Sequence, residues 1–201
     1  MASQIHNSYF MIHNSPRGQG LMETIVALGV IMTGLISVIS LTIANLTGER
    51  ETAMRYQAAN LAREGIELTR NMRDSNWLSG EDTFQSMPAG ENIPVQFNPE
   101  TYEFAFAGGE WSSDDARVTQ CTDGTYTQPD SFICDKPTPF SRTISLAFKS
   151  CAEEFSGDEF GGLCEAVGGS STIVALEVSS TVTWNDGAKS ITISDKLYDW
   201  R

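Results

Sequence analysis

The four cysteines are the residues whose type and spacing carry the clearest chemistry in this chain of 201 residues. Cys121 and Cys134 are separated by twelve residues, and so are Cys151 and Cys164. Four cysteines allow three disulfide connectivities, and we expect the loop-local pairs Cys121–Cys134 and Cys151–Cys164. Each bridge would contribute about 3 kcal/mol in the chain-entropy model. Because disulfides form in oxidising compartments, these cysteines predict that the second half of the chain lies outside the cytoplasm.

Other groups that could bind a metal ion or catalyse a reaction are not arranged for either task. The Cys-x₂-Cys spacing of zinc sites is missing from the sequence. Acidic residues cluster near both cysteine pairs, but their spacing does not match a calcium loop, so we expect a solvated acidic surface. They are Asp114, Asp115, Asp123, Asp130, Glu153, Glu154, Asp158 and Glu159. We expect no metal site and no cofactor.

Catalysis through histidine is equally unsupported by the sequence. Both histidines, His6 and His13, lie in the first 13 residues, so the rest of the chain has no partner for a Ser-His-Asp or Cys-His arrangement. A pair of carboxylates acting on a glycosidic bond remains open, because the sequence does not show which acids lie together. We expect that the protein is not an enzyme.

The charge of the chain is unevenly distributed. Residues 1–80 carry six acidic and six basic side chains, whereas residues 81–201 carry 20 acidic and 7 basic ones. Binding to phosphates needs clustered Lys and Arg. We therefore expect no direct contact between the acidic part and nucleic acid.

A long uncharged segment precedes the acidic part. Residues 24–48 contain no charged side chain, and a helix of that length extends about 37 Å, enough for a hydrocarbon core of about 30 Å. The segment is too long for a signal peptide, and no A-x-A cleavage pattern follows it. We expect a transmembrane helix with Arg17 on the cytoplasmic side. Glu23 either lies at the membrane interface without a role or is kept for a positively charged partner.

The residues around Glu23 resemble a known processing signal. Residues 17–28, RGQGLMETIVAL, resemble the N-terminal signature of type IV pilins and of the pseudopilins of type II secretion. In that family a peptidase cuts after a Gly, the new N-terminal amine is methylated, and a Glu occupies the fifth mature position. The resemblance implies cleavage after Gly18, with Gln19 as the first mature residue. Gly20 is a rival site, which would put Glu23 at the third position.

The resemblance also implies a role in assembly for Glu23. In the family this carboxylate pairs with the N-terminal amine of a neighbouring subunit, and the apolar helices hold the filament together. Each charge alone would be costly in such a core, so the pair would set the register between subunits. The implied partners are other pilin subunits, the prepilin peptidase, the assembly platform of a pilus or type II secretion system, and membrane lipid before assembly.

The helix is expected to continue past the apolar segment. Between residues 49 and 78, small and apolar residues recur at spacings of three and four, which is the pattern of one helix face. They are Met54, Ala58, Leu61, Ala62, Gly65, Ile66, Leu68, Thr69 and Met72. The stripe lasts barely three heptads, so we expect it to pack in a core rather than in a coiled coil. We place the charged residues, Arg73 among them, on the other faces, and the helix end near residues 75–80.

The rest of the chain predicts an antiparallel sheet. Residues 79–100 are rich in Pro and Gly and predict a loop. Alternating apolar residues predict strands over 102–106, 143–148 and 173–184. Asn185-Asp186-Gly187 predicts a hairpin turn, after which a further strand follows. The expected class is α+β, with a long N-terminal helix packed against a sheet of about four strands that carries disulfide loops.

These elements predict a structural subunit and its organisation. We expect a leader at 1–18, a transmembrane assembly helix at 19–48, an amphipathic stalk helix at 49–78 and an acidic β-rich head at 79–201. The expected function is that of a minor pilin or pseudopilin, cut after Gly18 and assembled into a filament. It would cross the cytoplasmic membrane once, with the head outside, and then join a cell-surface or periplasmic filament.

The alternative is a membrane-tethered ligand-binding domain outside the cytoplasm with an uncleaved signal anchor. Such a domain would use aromatic side chains in loops around Trp111 and Tyr126. Cleavage separates the two hypotheses, because a tether predicts an intact N-terminus and no need for Glu23.

Overall fold

The structure is of the predicted α+β class and divides into two compact units, Met1–Glu51 and Thr52–Arg201. The computed structural model describes residues 19–98, 103–106, 116–122, 124, 126–128, 134, 136–155 and 161–199. The described part of the first unit is helical throughout. The second unit contains further helix, an antiparallel sheet and two disulfides.

Helix α1 spans Gln19–Ser79, 61 residues, as the sequence predicts. No Pro interrupts the segment, and its end is marked by Gly80, which has a φ of 77°. The N–H of Gly80 donates to the carbonyl of Trp77 at 3.2 Å, and the N–H of Glu81 donates to that of Asn76 at 3.0 Å. This pair of bonds is a Schellman motif, in which a left-handed Gly satisfies the last helical carbonyls.

In the second unit, the apolar stripe of α1 packs against the sheet. Ala58, Leu61, Ala62, Ile66 and Thr69 are all buried, in line with the expectation of core packing. Sheet residues that join them in two neighbouring clusters are Ile144, Leu146, Leu176, Val178 and Leu197 in one, and Val118, Phe140, Val182 and Trp184 in the other. The prediction was wrong for Arg73, which was expected on a solvent-exposed face of the helix. Its side chain is only 3% exposed.

Gly65 is where the helix comes closest to the sheet. A Cβ built on Gly65 would collide with Oγ of Ser180 and lie 3.1 Å from the Cβ of Ser180 and 3.3 Å from Cδ1 of Ile144. The two contacts to carbon are tighter than ordinary van der Waals packing allows. Glycine is therefore used here for close approach, although it costs about 1 kcal/mol relative to Ala inside a helix.

We expect Gly65→Ala to lower the free energy of unfolding by about 1–2 kcal/mol, because overpacking outweighs the gain in helix propensity. Adding Ser180→Ala should recover most of that loss, since it removes the colliding Oγ, which is buried without a hydrogen-bond partner in the described structure. Urea unfolding of the single and double variants measures both effects. Gly29→Ala is the matched control, because nothing lies within 4 Å of its Cβ position. Equal stability of Gly65→Ala and Gly29→Ala would contradict the close approach.

The main sheet has six strands, five of them in the order β5-β4-β6-β7-β8, with β1 pairing β6. Every pairing is antiparallel. Its strands are β1 (Gly90–Ile93), β4 (Arg117–Gln120), β5 (Tyr126–Thr127), β6 (Lys136–Ser150), β7 (Ile173–Trp184) and β8 (Lys189–Tyr198). A separate pair consists of β2 (Val95–Asn98) and β3 (Glu103–Phe106), and two short helices, α2 (Cys151–Glu154) and α3 (Gly161–Ala166), precede β7.

The strand predictions were right for the long hairpin, for 143–148, which lies within β6, and for 103–106, which is β3, and they were wrong in three other respects. Asn185 and Asp186 turn with φ values of 55° and 53°, and β7 and β8 pair on either side of them as predicted. The expected loop over 79–100 contains β1 and β2, the sheet has six strands instead of four, and β3 pairs β2 outside the main sheet. The strands that were missed, β1, β2, β4 and β5, have only two or four residues, too few for a period to show.

Candidate functional site

The first unit presents an apolar helix surface that nothing in the described chain covers. Every large apolar side chain from Leu21 to Leu46 is exposed, by between 52% (Leu46) and 69% (Met22). This part of α1 is long and apolar enough to cross a membrane. Because a helix that is apolar on all sides needs an apolar environment, this segment is the candidate site for contact with lipid or with other apolar helices.

Five hydroxyl groups of this helix are turned back on its own backbone. Each donates to a carbonyl three or four residues earlier at 2.8–2.9 Å; the donors are Thr24, Thr33, Ser37, Thr42 and Thr47. In an apolar environment such bonds satisfy donors that find no water. The polar residues of the segment are therefore compatible with burial in lipid or among helices.

The helix glycines leave open space along this surface. A Cβ at Gly20, Gly29, Gly34 or Gly48 would meet nothing within 4 Å. Packing inside the described chain therefore does not require these glycines. Small residues at such positions let two apolar helices approach closely.

The predicted processing and assembly residues are only partly described. Gly18 lies outside the described residues, as do the leader residues before it, and Gln19 begins α1. Glu23 lies in the second turn of the helix, immediately before the 25 uncharged residues. The structure thus places one carboxylate at the end of the apolar surface.

The cysteines pair locally in the second unit. The disulfides are Cys121–Cys134 and Cys151–Cys164, and all four cysteines are buried. The first bridge joins the end of β4 to the approach to β6. The second joins α2 to α3 and packs with Val174 and Ala175 of β7. Both bridges therefore tie loops to the sheet.

The acids of the second cysteine loop that the structure describes have structural partners. The carboxylate of Glu153 accepts bonds from the backbone N–H and the hydroxyl of Ser150, both at 3.0 Å, which satisfies the start of α2. Glu154 accepts bonds from Nζ of Lys196 at 2.8 Å and from the hydroxyl of Tyr198 at 2.7 Å. Glu153 thus caps the start of α2, and Glu154 ties α2 to β8.

The other acidic candidates are Asp114, Asp115, Asp123, Asp130, Asp158 and Glu159, and they lie outside the described residues. Within the described part of the chain, no group of three His, Cys, Asp or Glu side chains is placed to hold a metal ion.

The hydrogen bonds that Glu154 accepts make the stability of the fold depend on pH. Hydrogen bonds from Lys196 and Tyr198 hold the pKa of Glu154 below its usual value. A carboxyl whose pKa is lower in the folded state stabilises the fold above its unfolded pKa of about 4.3 and loses that contribution as pH falls through the folded pKa. We expect the Tm to fall across this acidic range and the fall to be smaller in Glu154→Gln. Thermal melts from pH 6 to pH 3 test this, with exposed Glu165→Gln as control. Parallel pH profiles for the wild type and Glu154→Gln would contradict the assignment.

A buried polar cluster that the sequence analysis missed joins the sheet to the helix. Arg142 of β6 has a side chain only 1% exposed and donates through Nη1 to the carbonyl of Leu61 at 3.3 Å. Its Nε donates to Oε1 of Gln128 at 3.1 Å, and Glu64 of α1 lies 3.4 Å from Nη1. Burial lowers the pKa of Arg142, and Glu64 opposes that shift. Arg142 lies on the same face of its strand as the buried residues Phe140 and Ile144, and this spacing of two is the signal in the sequence that could have indicated its burial.

Of the two aromatic residues named for ligand binding, the structure describes Tyr126, which is not in a loop as expected. Tyr126 is a half-buried residue of β5 that packs against the cluster of Val118, Phe140 and Trp184. It is therefore not at a loop tip. Trp111 lies outside the described residues.

Comparison with known proteins does not add a family. No protein-family model matches this chain, and no curated protein or solved structure matches it. Its function therefore has to be argued from the apolar helix, Glu23 and the disulfide-bridged sheet.

Proposed function

We propose that this protein is a structural subunit of a type IV pilus-like filament, of the minor pilin or pseudopilin kind. The observation that carries the proposal is the uncovered apolar surface between Leu21 and Leu46, which contains a single charge, Glu23, close to its N-terminal end. Such a surface has two suitable environments, a membrane and a bundle of like helices. A subunit that is first inserted into the membrane and later assembled into a filament uses the two environments in turn.

The residue pattern around Glu23 supports the same proposal. Cleavage after Gly18 would create an amine at Gln19, four residues before Glu23. In a neighbouring subunit that amine would meet the carboxylate inside an apolar core, where an unpaired charge is costly and a paired one sets the register. A prepilin peptidase and an assembly platform would be the partners in these steps.

The second unit supports a location outside the cytoplasm. Two buried disulfides persist where the surroundings are oxidising. The protein would cross the cytoplasmic membrane once, with the sheet outside, and would then join a surface or periplasmic filament. No catalytic step and no cofactor belong to this function.

N-terminal peptide mass spectrometry on protein purified from its native membrane tests the proposal. We expect an N-terminus at Gln19 that carries one added methyl group. A Gly18→Leu variant should remain uncut, whereas the matched Gly20→Leu variant should still be cut. Cleavage after Gly20 in the wild type would keep the family and overturn the role of Glu23. An exported protein whose N-terminus is residue 1 or 2 would overturn the proposal in favour of a tethered binding domain.

A further inference from the structure

The main sheet carries a regular array of hydroxyl groups on one face. In the segments 141–145 of β6, 179–183 of β7 and 190–194 of β8, the first, third and fifth residues are all Ser or Thr. Successive side chains of a strand point to opposite faces of its sheet. Intervening residues such as Ile144 and Val182 are buried in the clusters that pack against α1. The three strands therefore place nine hydroxyl residues, three from each, on the face turned away from α1.

Six of these nine hydroxyls already bond to protein groups. Two pairs bond across neighbouring strands, Thr181 with Thr192 at 2.9 Å and Ser179 with Ser194 at 2.8 Å. Two hydroxyls of β6 bond to Asn92 of β1, one as a donor at 3.2 Å and one as an acceptor at 3.0 Å. This part of the array is therefore satisfied within the sheet.

The row formed by Ser141, Thr183 and Ser190 is the exception. Ser141 lies opposite Thr183, which lies opposite Ser190, and none of the three hydroxyls has a hydrogen-bond partner within the part of the chain that the structure describes. Ser141 and Thr183 are half-buried. Directly opposed residues have Cβ atoms about 5 Å apart, so two hydroxyls that can each donate and accept lie side by side. They are free to bond to a ligand.

Ser141 and Thr183 line a cavity of about 790 Å³, which is within the usual size range of ligand sites. Two amide side chains also line it, those of Asn92 and of Asn185 in the turn after β7. Both residues are exposed and have positive φ values, 57° and 55°. Each amide can donate and accept hydrogen bonds. The cavity thus brings several groups of both kinds together on the sheet.

The charges around the cavity favour a neutral ligand. Among the described residues that line it, only Arg117 and Asp186 are charged, and they have opposite signs. Residues 81–201 carry 20 acidic and 7 basic side chains, so the surrounding field opposes the approach of an anion. A sugar is neutral and presents several hydroxyls close together, which match a set of hydroxyls and amides. We propose that this cavity binds a neutral oligosaccharide and that one disaccharide unit contacts Ser141, Thr183 and Asn92.

This site is independent of the assembly proposed above. It lies on the sheet face that is turned away from α1, and a small ligand imposes no orientation of one copy of the chain relative to another. The inference does not rest on the proposed function, since it concerns the second unit alone. It adds recognition of a sugar to whatever role the apolar helix has.

Saturation-transfer NMR on the full chain tests the inference, in a phosphocholine detergent so that no sugar headgroup is present. The probes are cellobiose, maltose and lactose, and we expect at least one to bind with a millimolar or lower dissociation constant. Ser141→Ala combined with Thr183→Val should raise that constant about tenfold or more, because two hydrogen bonds to the ligand are lost. Ser194→Ala combined with Thr192→Val is the matched control, since it makes the same changes on the same face outside the cavity. It should change the constant less than twofold.

The possible outcomes decide between this cavity and other sites. An equal effect of the two double variants, or no saturation transfer to any of the three disaccharides, would overturn the proposal. A digalacturonate probe tests the preference for a neutral ligand and should bind at least tenfold more weakly than the best disaccharide; tighter binding would exclude that preference. Circular dichroism checks that the variants are folded. If the double variant at the cavity is not, Thr183→Val alone should still raise the dissociation constant about threefold.

Discussion

Gln128→Leu is expected to lower the free energy of unfolding by about 3 kcal/mol or more, because it breaks a buried set of bonds around a charge. Gln128 is fully buried and donates through Nε2 to the carbonyls of Ala116 and Arg142, each at 2.5 Å. Its Oε1 accepts from Nε of Arg142. Leucine has a similar volume but none of these groups, so a donor of the buried guanidinium loses its partner.

Urea unfolding of the full chain with its disulfides intact measures this loss. Gln120→Leu is the matched control, since Gln120 is a half-buried Gln of β4, and we expect it to cost less than about 1 kcal/mol. Arg142→Met combined with Gln128→Leu should cost less than the sum of the two single changes, because no buried charge is left unpaired in the double variant. A cost below about 1 kcal/mol for Gln128→Leu would show that the cluster does not hold the sheet to α1.

Glu23→Gln is expected to reduce incorporation into filaments at least tenfold while leaving membrane insertion intact. In the proposed filament the carboxylate offsets the N-terminal amine of a neighbour in an apolar core. Removing one partner of such a pair costs about 3–5 kcal/mol, and 1.4 kcal/mol already corresponds to a factor of ten. The amide keeps the shape of the side chain, so lost charge is the cause.

The measurement is the ratio of protein in sheared filaments to protein in membranes. Thr24→Val is the matched control: its hydroxyl donates to the carbonyl of Leu21 within the same helix, so its loss leaves the proposed charge pair untouched. Incorporation of Glu23→Gln at the level of Thr24→Val would exclude the charge pair and leave Glu23 as an interfacial residue. Together with the N-terminal mass, the ratio separates processing from assembly.

The long elements were predictable from the sequence because their periods are long enough to read. The apolar run and the stripe from Met54 to Met72 predicted one helix, and the structure has it from Gln19 to Ser79. The alternation over 173–184 and the turn at Asn185 predicted the hairpin of β7 and β8. In both cases the residues that carry the pattern lie within the predicted element or directly beside it in the sequence.

The pairing of β2 with β3 was decided only by the tertiary structure. Val95 and Phe97 lie in a segment bounded by prolines, and they oppose Phe106 and Phe104 across a pair of strands of four residues each. A segment that short carries no readable period, so the Pro-rich composition predicted a loop. Residues 95–98 form a strand because they pair with β3, which lies outside that segment.

The sequence by itself determined the apolar helix, the predicted processing signal, the acidic head and the β7–β8 hairpin, because composition and local period specify them. The burial of Arg142 and Arg73, the close approach at Gly65 and the short strands became visible only in the tertiary structure. A buried charge depends on partners far away in the chain: Arg142 bonds to Leu61, 81 positions earlier. Local patterns do not encode such partners, since burying a charge is favourable only after the fold has brought its acceptors together.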